Sequence, residues 1–234
     1  EMNMFDRKKY KEFSLIQLKN RWHVPIVILV VTFLITMLLE TPILIQELGM
    51  IGMSYDEMLT AINSMSGSST ILSWLIIIIS FIFEFATVSV YIKMSHSPDP
   101  VTFGNFIEGF SAWFKAIRLG LWQFLFIYLW ALLFIIPGIV KSYAYSQMFY
   151  LACEYPNVPV RKLMKMSMVI TKGHKWDLFV LDLSFIGWIL LEIITLGIAG
   201  LWVSPYYQMT KVNAYHALLK EAIDKGIITS EDIQ

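Results

Sequence analysis

Residues 138–155, GIVKSYAYSQMFYLACEY, decide how often this chain crosses a membrane. Hydropathy alone leaves them marginal, because Lys141, Gln147 and several tyrosines interrupt the apolar residues. If they lie on the outer surface, the strongly basic stretch 156–176 is extracellular. If they span, that stretch is cytoplasmic, where lysine and arginine concentrate in short loops. The second reading accounts for the whole charge pattern. With six spans and an inside N-terminus, 17 of the 18 lysines and arginines fall on the inner side, and Lys141 alone falls outside. The stretch 40–70 carries four acids and no lysine or arginine, as an external loop should.

Composition agrees with a membrane location. The 234 residues are 57% hydrophobic and 15% charged, with a mean hydropathy of +0.62, against about 45 to 50% and about 25% in soluble domains. Zero net charge gives no reason to expect nucleic acid as a partner. The single cysteine, Cys153, has no companion for a disulfide or a zinc motif and reads as a packing residue. No small-residue cleavage site follows the first apolar segment, so that segment is expected to stay as an anchor. Translation is expected to start at Met2, Met4 or upstream.

A bilayer core about 30 Å thick takes about 20 apolar residues per helix. Segments 22–39, 71–92 and 116–136 meet this easily, and 178–196 meets it with Asp182 and Glu192 inside. Segments 138–155 and 200–219 complete six. The expected fold is all-α, a polytopic transmembrane bundle of three helical hairpins in one integral-membrane domain over 1–234. A lead-in segment, 1–21, precedes hairpin one at 22–92 with its external loop 40–70. Hairpin two follows at 102–155, hairpin three at 158–219, and a cytoplasmic tail at 220–234.

Each outward span is preceded by a segment able to lie in the cytoplasmic interface. In VTFGNFIEGFSAWF (101–114), Phe103, Phe106, Ile107, Phe110, Trp113 and Phe114 share a face at helical spacing, the pattern of an in-plane amphipathic helix. In VPVRKLMKMSMVITKG (158–173), Leu163, Met166 and Ile170 share one face, and Lys162, Lys165 and Lys172 another. The stretch 9–19, with Phe13 and Ile16, is a weaker third. Trp22, Trp113, Trp122 and Trp176 are expected as interfacial anchors, since indole rings sit well at headgroup level. WALL (130–133) then SYAYSQM, and WILL (188–191) then SPYYQM, hint at a repeat between hairpins two and three.

The runs LWALLFIIPGIVKSYAYSQMFYLACEYP, SMVITKGHKWDLFVLDLSFIGWILL and TLGIAGLWVSPYYQMT resemble a family of bacterial integral-membrane proteins, the domain of unknown function 975 family, over about residues 10 to 220. The specific parts are Pro137-Gly138, KGHKW at 172–176, SFIGW at 184–188 and PYY at 205–207. LKNRW at 18–22 departs from the usual lead-in. The resemblance implies a polytopic protein of the bacterial plasma membrane and carries no assigned chemistry.

Ionisable groups at membrane depth cost about 2.5 to 3.5 kcal/mol each on insertion scales and face the protein interior. Asp182 lies roughly 8 Å inside the cytoplasmic end of its span, at a depth similar to Lys211. An Asp182–Lys211 pair would let both stay charged; a functional carboxylate and snorkelling are the alternatives. Glu84 lies nearer mid-membrane and is expected to be a hydrogen-bonded or protonated carboxyl facing the tyrosine-rich helices, or a functional one. Lys141 and Glu192 fall near the outer boundary. Tyr143, Tyr145, Gln147, Tyr150, Tyr206, Tyr207, Gln208 and Asn213 are too polar for lipid and belong inside, either as packing or around a polar cavity. His23, His96, His174 and His216 stand singly, without metal-ligand spacing, and no Walker loop or nucleophile elbow is present. No cofactor or metal is expected. The expected role is non-enzymatic, engaging membrane lipids, a protein partner or a second copy in envelope stress, peptide immunity or assembly. The alternative is a small transporter or permease subunit with a polar site between the returning helices.

Overall fold

The computed structural model describes residues 5–64, 67–229 and 232–233, with side chains described outside 62–69. The expected start sites Met2 and Met4 lie outside them. Among the described residues the chain is helical and without strands: α1 (Arg7–Leu18), α2 (His23–Gly49), α3 (Tyr55–Ser64), α4 (Gly67–His96), α5 (Phe103–Gly109), a 3-10 turn (Phe110–Ala112), α6 (Trp113–Leu133), α7 (Ile135–Tyr145), α8 (Met148–Glu154), α9 (Val160–Ile170), α10 (Lys175–Leu183), α11 (Ile186–Ile194) and α12 (Gly200–Asp224).

Three of these stretches, His23–Gly49, Thr70–His96 and Phe103–Leu133, are long and apolar enough to cross a membrane. The expected spans 138–155 and 178–196 are each two short helices, α7–α8 and α10–α11. The first break is stitched from outside. Ser167 of α9 donates its hydroxyl to the Ala144 carbonyl at 2.8 Å and accepts the Gln147 N–H at 3.2 Å. Two of the backbone groups at the break are thus satisfied without water, as buried backbone requires.

The expected external loop 40–70 contains helix among its described residues. In it α2 continues through Pro42 to Gly49, and α3 spans Tyr55–Ser64. Its lack of basic residues bears on which side it occupies, whereas apolar residues at helical spacing in PILIQELG let the helix run on. The helix stops at Met50, and Gly52 adopts φ 87 in the turn that follows.

The packed core occupies one end of the molecule. α2 buries only Val24, Pro25 and Ile28 near its start, α6 only Ala116, Leu119 and Gly120, while α4 buries mainly its C-terminal half. α8 and α12 fill the middle. The opposite ends leave apolar side chains outward: Leu38, Phe134, Ile136 and Ile194 are all more than 70% exposed. An apolar surface of that extent is foreign to a water-soluble monomer.

Cations close the helix ends at the packed end. Arg21 donates to the carbonyls of Met94 and Ser97 at the C-terminus of α4, and Lys115 donates to those of Tyr155 and Val158 after α8. Met94 is one of the last-turn carbonyls that a helix end leaves unpaired, while Tyr155 and Val158 lie in the turn between α8 and α9. Close packing needs glycine at one crossing: a Cβ on Gly120 of α6 would stand 2.1 Å from Phe81 of α4. The turns that lead into α2 and α10 are alike, with Asn20 at φ 63 and Gly173 at φ 92. LKNRW and TKGHKW thus make the same left-handed step, with asparagine standing in for glycine.

Candidate functional site

α7, α10 and α12 bring the tyrosine-rich segments onto Asp182. Tyr143 donates its hydroxyl to Asp182 Oδ2 and Tyr207 to Oδ1, both at 2.8 Å. The expected partner, Lys211, is elsewhere. It lies one turn beyond Tyr207 on α12, its ammonium 5.1 Å from the Tyr207 ring centroid, and no ion pair joins it to Asp182 among the described residues. A half-buried aspartate accepting two phenolic hydroxyls has its charge spread by hydrogen bonds, which serve as well as a cation and need no second desolvated charge.

Nor does an ion pair join Lys211 to Glu84 of α4 among the described residues. Glu84 lies in a lateral groove of about 420 Å³ between α2, α4 and α12, in company with Thr32, Ser80, Thr87, Tyr91 and Gln208. No hydrogen bond to its carboxylate occurs among the described residues. Tyr143, Asp182 and Tyr207 thus link α7, α10 and α12 through polar side chains.

The other expected cavity residues do not line a common space. Tyr145 is buried with its ring 6.3 Å from Phe126. Gln147 is buried at the α7–α8 break, its amide donating to Ser146 and its Oε1 without a partner. Tyr206 packs edge-on to Phe185 and Trp188. Asn213 fastens α1 to α12, donating to Ser14 Oγ and Gln17 Oε1, and Tyr150 stacks on Tyr215 at 5.4 Å. Of the aromatic anchors, Trp113 and Trp176 are exposed, Trp22 packs against the core, and Trp122 is wedged between α6 and α9, its indole N–H on Met164 Sδ at 3.1 Å.

A cluster the sequence did not reveal lies at the packed end. His96 at the end of α4 and His216 of α12 converge on Glu154 at the end of α8. His96 Nε2 is 2.7 Å from Glu154 Oε1, and His216 Nδ1 is 3.4 Å from the same oxygen. Tyr215 donates to the other carboxylate oxygen, and Ser95 Oγ is 2.8 Å from His216 Nε2. No local spacing could have shown this, since three separate elements supply the groups. The available signal was that each residue sits at the inner end of an expected span. A second histidine, His174, bridges Asp177 and Glu221 at 3.1 and 3.2 Å.

Residues 121–222 match the sequence model of a family described as "Protein of unknown function (DUF975)". The resemblance read from the sequence holds over that stretch. The family match is shorter than the expected 10 to 220: it covers Tyr143, Asp182, Tyr207 and Lys211, together with Glu154 and His216, and leaves out Glu84 and His96. No curated protein and no solved structure matches the chain.

Proposed function

We propose that the protein is a non-enzymatic, six-span protein of a bacterial plasma membrane, with both termini cytoplasmic and three helical hairpins, that engages lipid or an apolar partner helix through a collar of in-plane helices. The observation that carries this reading is the two-sidedness of the collar. α1 turns Ser14 and Leu18 inward and leaves Phe13 and Ile16 exposed; the α5 stretch buries Phe106 and leaves Ile107, Trp113 and Phe114 exposed. An apolar face at the level of basic residues fits the headgroup boundary. α9 is the exception. Its apolar face, Leu163, Met166 and Ile170, is buried against the bundle, so it contributes lysines to the collar.

A transport role is the second reading, favoured by Glu84 in its groove. The tyrosine-rich helices support it less, because their polar groups bond mainly to one another and to backbone. The topology is tested by cysteine labelling in a Cys153→Ser background. Asp56→Cys should label from outside, and Lys165→Cys and Lys220→Cys only after permeabilisation. Ser66 and Ser69 lie outside the described side chains, and Ser167 is buried against α7, so these exposed positions serve better. Labelling of Lys165→Cys in intact cells overturns the six-span arrangement. The collar is tested by native mass spectrometry of lipid retained on purified protein: Ile107→Ser with Phe114→Ser should lose it, and unchanged retention counts against the collar.

A further inference from the structure

We propose that His96, Glu154 and His216 form a binding site for a divalent transition-metal ion, zinc being the best fit to the donors, that clips the inner ends of α4, α8 and α12 together. The candidate ligand atoms all lie within 4.8 Å of one another. Tetrahedral ligands at about 2.0 to 2.1 Å from zinc stand about 3.3 Å apart. The two separations around Glu154 Oε1, 2.7 and 3.4 Å, bracket that value, so small side-chain adjustments would seat an ion.

The surrounding hydrogen bonds fix the tautomer that a metal requires. Ser95 donates its own hydroxyl to the Ile92 carbonyl at 2.6 Å, so towards His216 it accepts, and the proton of that ring sits on Nε2. The neutral ring then turns its Nδ1 lone pair towards a carboxylate oxygen, which a shared cation reconciles. A ligating histidine held by a hydrogen bond on its other nitrogen is the usual arrangement around zinc. Tyr215 does the same for Glu154, occupying Oε2 and leaving Oε1 to the two imidazoles. Two protonated histidines could also serve that oxygen, but their rings lie 5.0 Å apart and their charges would repel. One divalent ion replaces both protons.

Two imidazoles and a carboxylate suit zinc and its neighbours better than magnesium or calcium, which prefer all-oxygen shells. His96 is exposed while the Glu154 side chain is 9% exposed, so an ion would enter from the His96 side and keep its fourth position for water. The cluster is separate from the Glu84 groove and from Asp182, and it shares no side chain with them.

The test uses tag-free, full-length protein stripped with chelator in detergent. Calorimetric titration with Zn2+ should give one equivalent per chain and a rise in Tm, and Co2+ should give the visible absorption of a tetrahedral site. His96→Gln, at an exposed position, should fold as wild type by circular dichroism and bind Zn2+ at least about tenfold more weakly. Glu154→Gln should do the same where it folds, and His23→Gln should change nothing. If the wild type takes up no zinc, or if His96→Gln binds as tightly as the wild type, the cluster is a hydrogen-bonded network holding protons alone and the proposal is wrong.

Discussion

The hydroxyl of Tyr207 donates to Oδ1 of Asp182 at 2.8 Å, while Tyr143 takes the opposite carboxylate oxygen. Each bond to an ionised acceptor is worth about 1.5 to 3 kcal/mol. Tyr143→Phe and Tyr207→Phe should each destabilise by that order in detergent unfolding. The double variant should lose more than the two together, because it strands a half-buried charge. Lys211→Met should not rescue Asp182→Asn. Rescue would restore the ion pair that the sequence suggested.

That substitution of partners shows where sequence reasoning reaches and where it stops. Estimated depth along ideal helices put Asp182 and Lys211 level, but Tyr207 and Lys211 share a face of α12 one turn apart, and the estimate missed by that turn. One turn along α12, Tyr207 faces α10 and Lys211 lies beside it. The helical class and the apolar stretches were legible because each is written locally, in hydropathy and spacing. The α7–α8 break was not, because Ser167, which closes it, belongs to a different helix. Nor was the His96, Glu154 and His216 cluster, for the same reason.

Arg21 ties the start of α2 to the end of α4 through carbonyls of Met94 and Ser97. Its planar fork reaches several acceptors at once, which an ammonium on a shorter geometry cannot reproduce. Arg21→Ala should destabilise by about 1 to 3 kcal/mol and speed amide exchange in the last turn of α4. Arg21→Lys should recover only part of either effect. Equal exchange in all three proteins would mean that water caps this end unaided.

Glu221, beyond the inner end of the last expected span, accepts from Lys225 and lies 3.2 Å from His174. The Lys225 bond first, and then His174, hold its carboxyl below the usual carboxylate range despite partial burial. A depressed carboxylate stabilises the fold above its unfolded value and loses that contribution as pH falls through the lowered one. Wild-type Tm should therefore decline on acidification into that range more steeply than that of Glu221→Gln, and the two curves should run parallel above it. Parallel curves throughout would remove Glu221 from the acid transition.

Gly120 meets Phe81 so closely that a Cβ would stand 2.1 Å from the ring. Overpacking a filled contact costs about 1 to 3 kcal/mol, so Gly120→Ala should lower detergent stability by that order even though alanine favours helix by about 1 kcal/mol over glycine. Phe81→Ala alone should also destabilise, through lost packing. Combined, the methyl occupies space the ring has vacated, and the double variant should be more stable than the sum of the single losses predicts. Strict additivity would show that α6 pivots away from α4 at this crossing, with the two helices held by their other contacts.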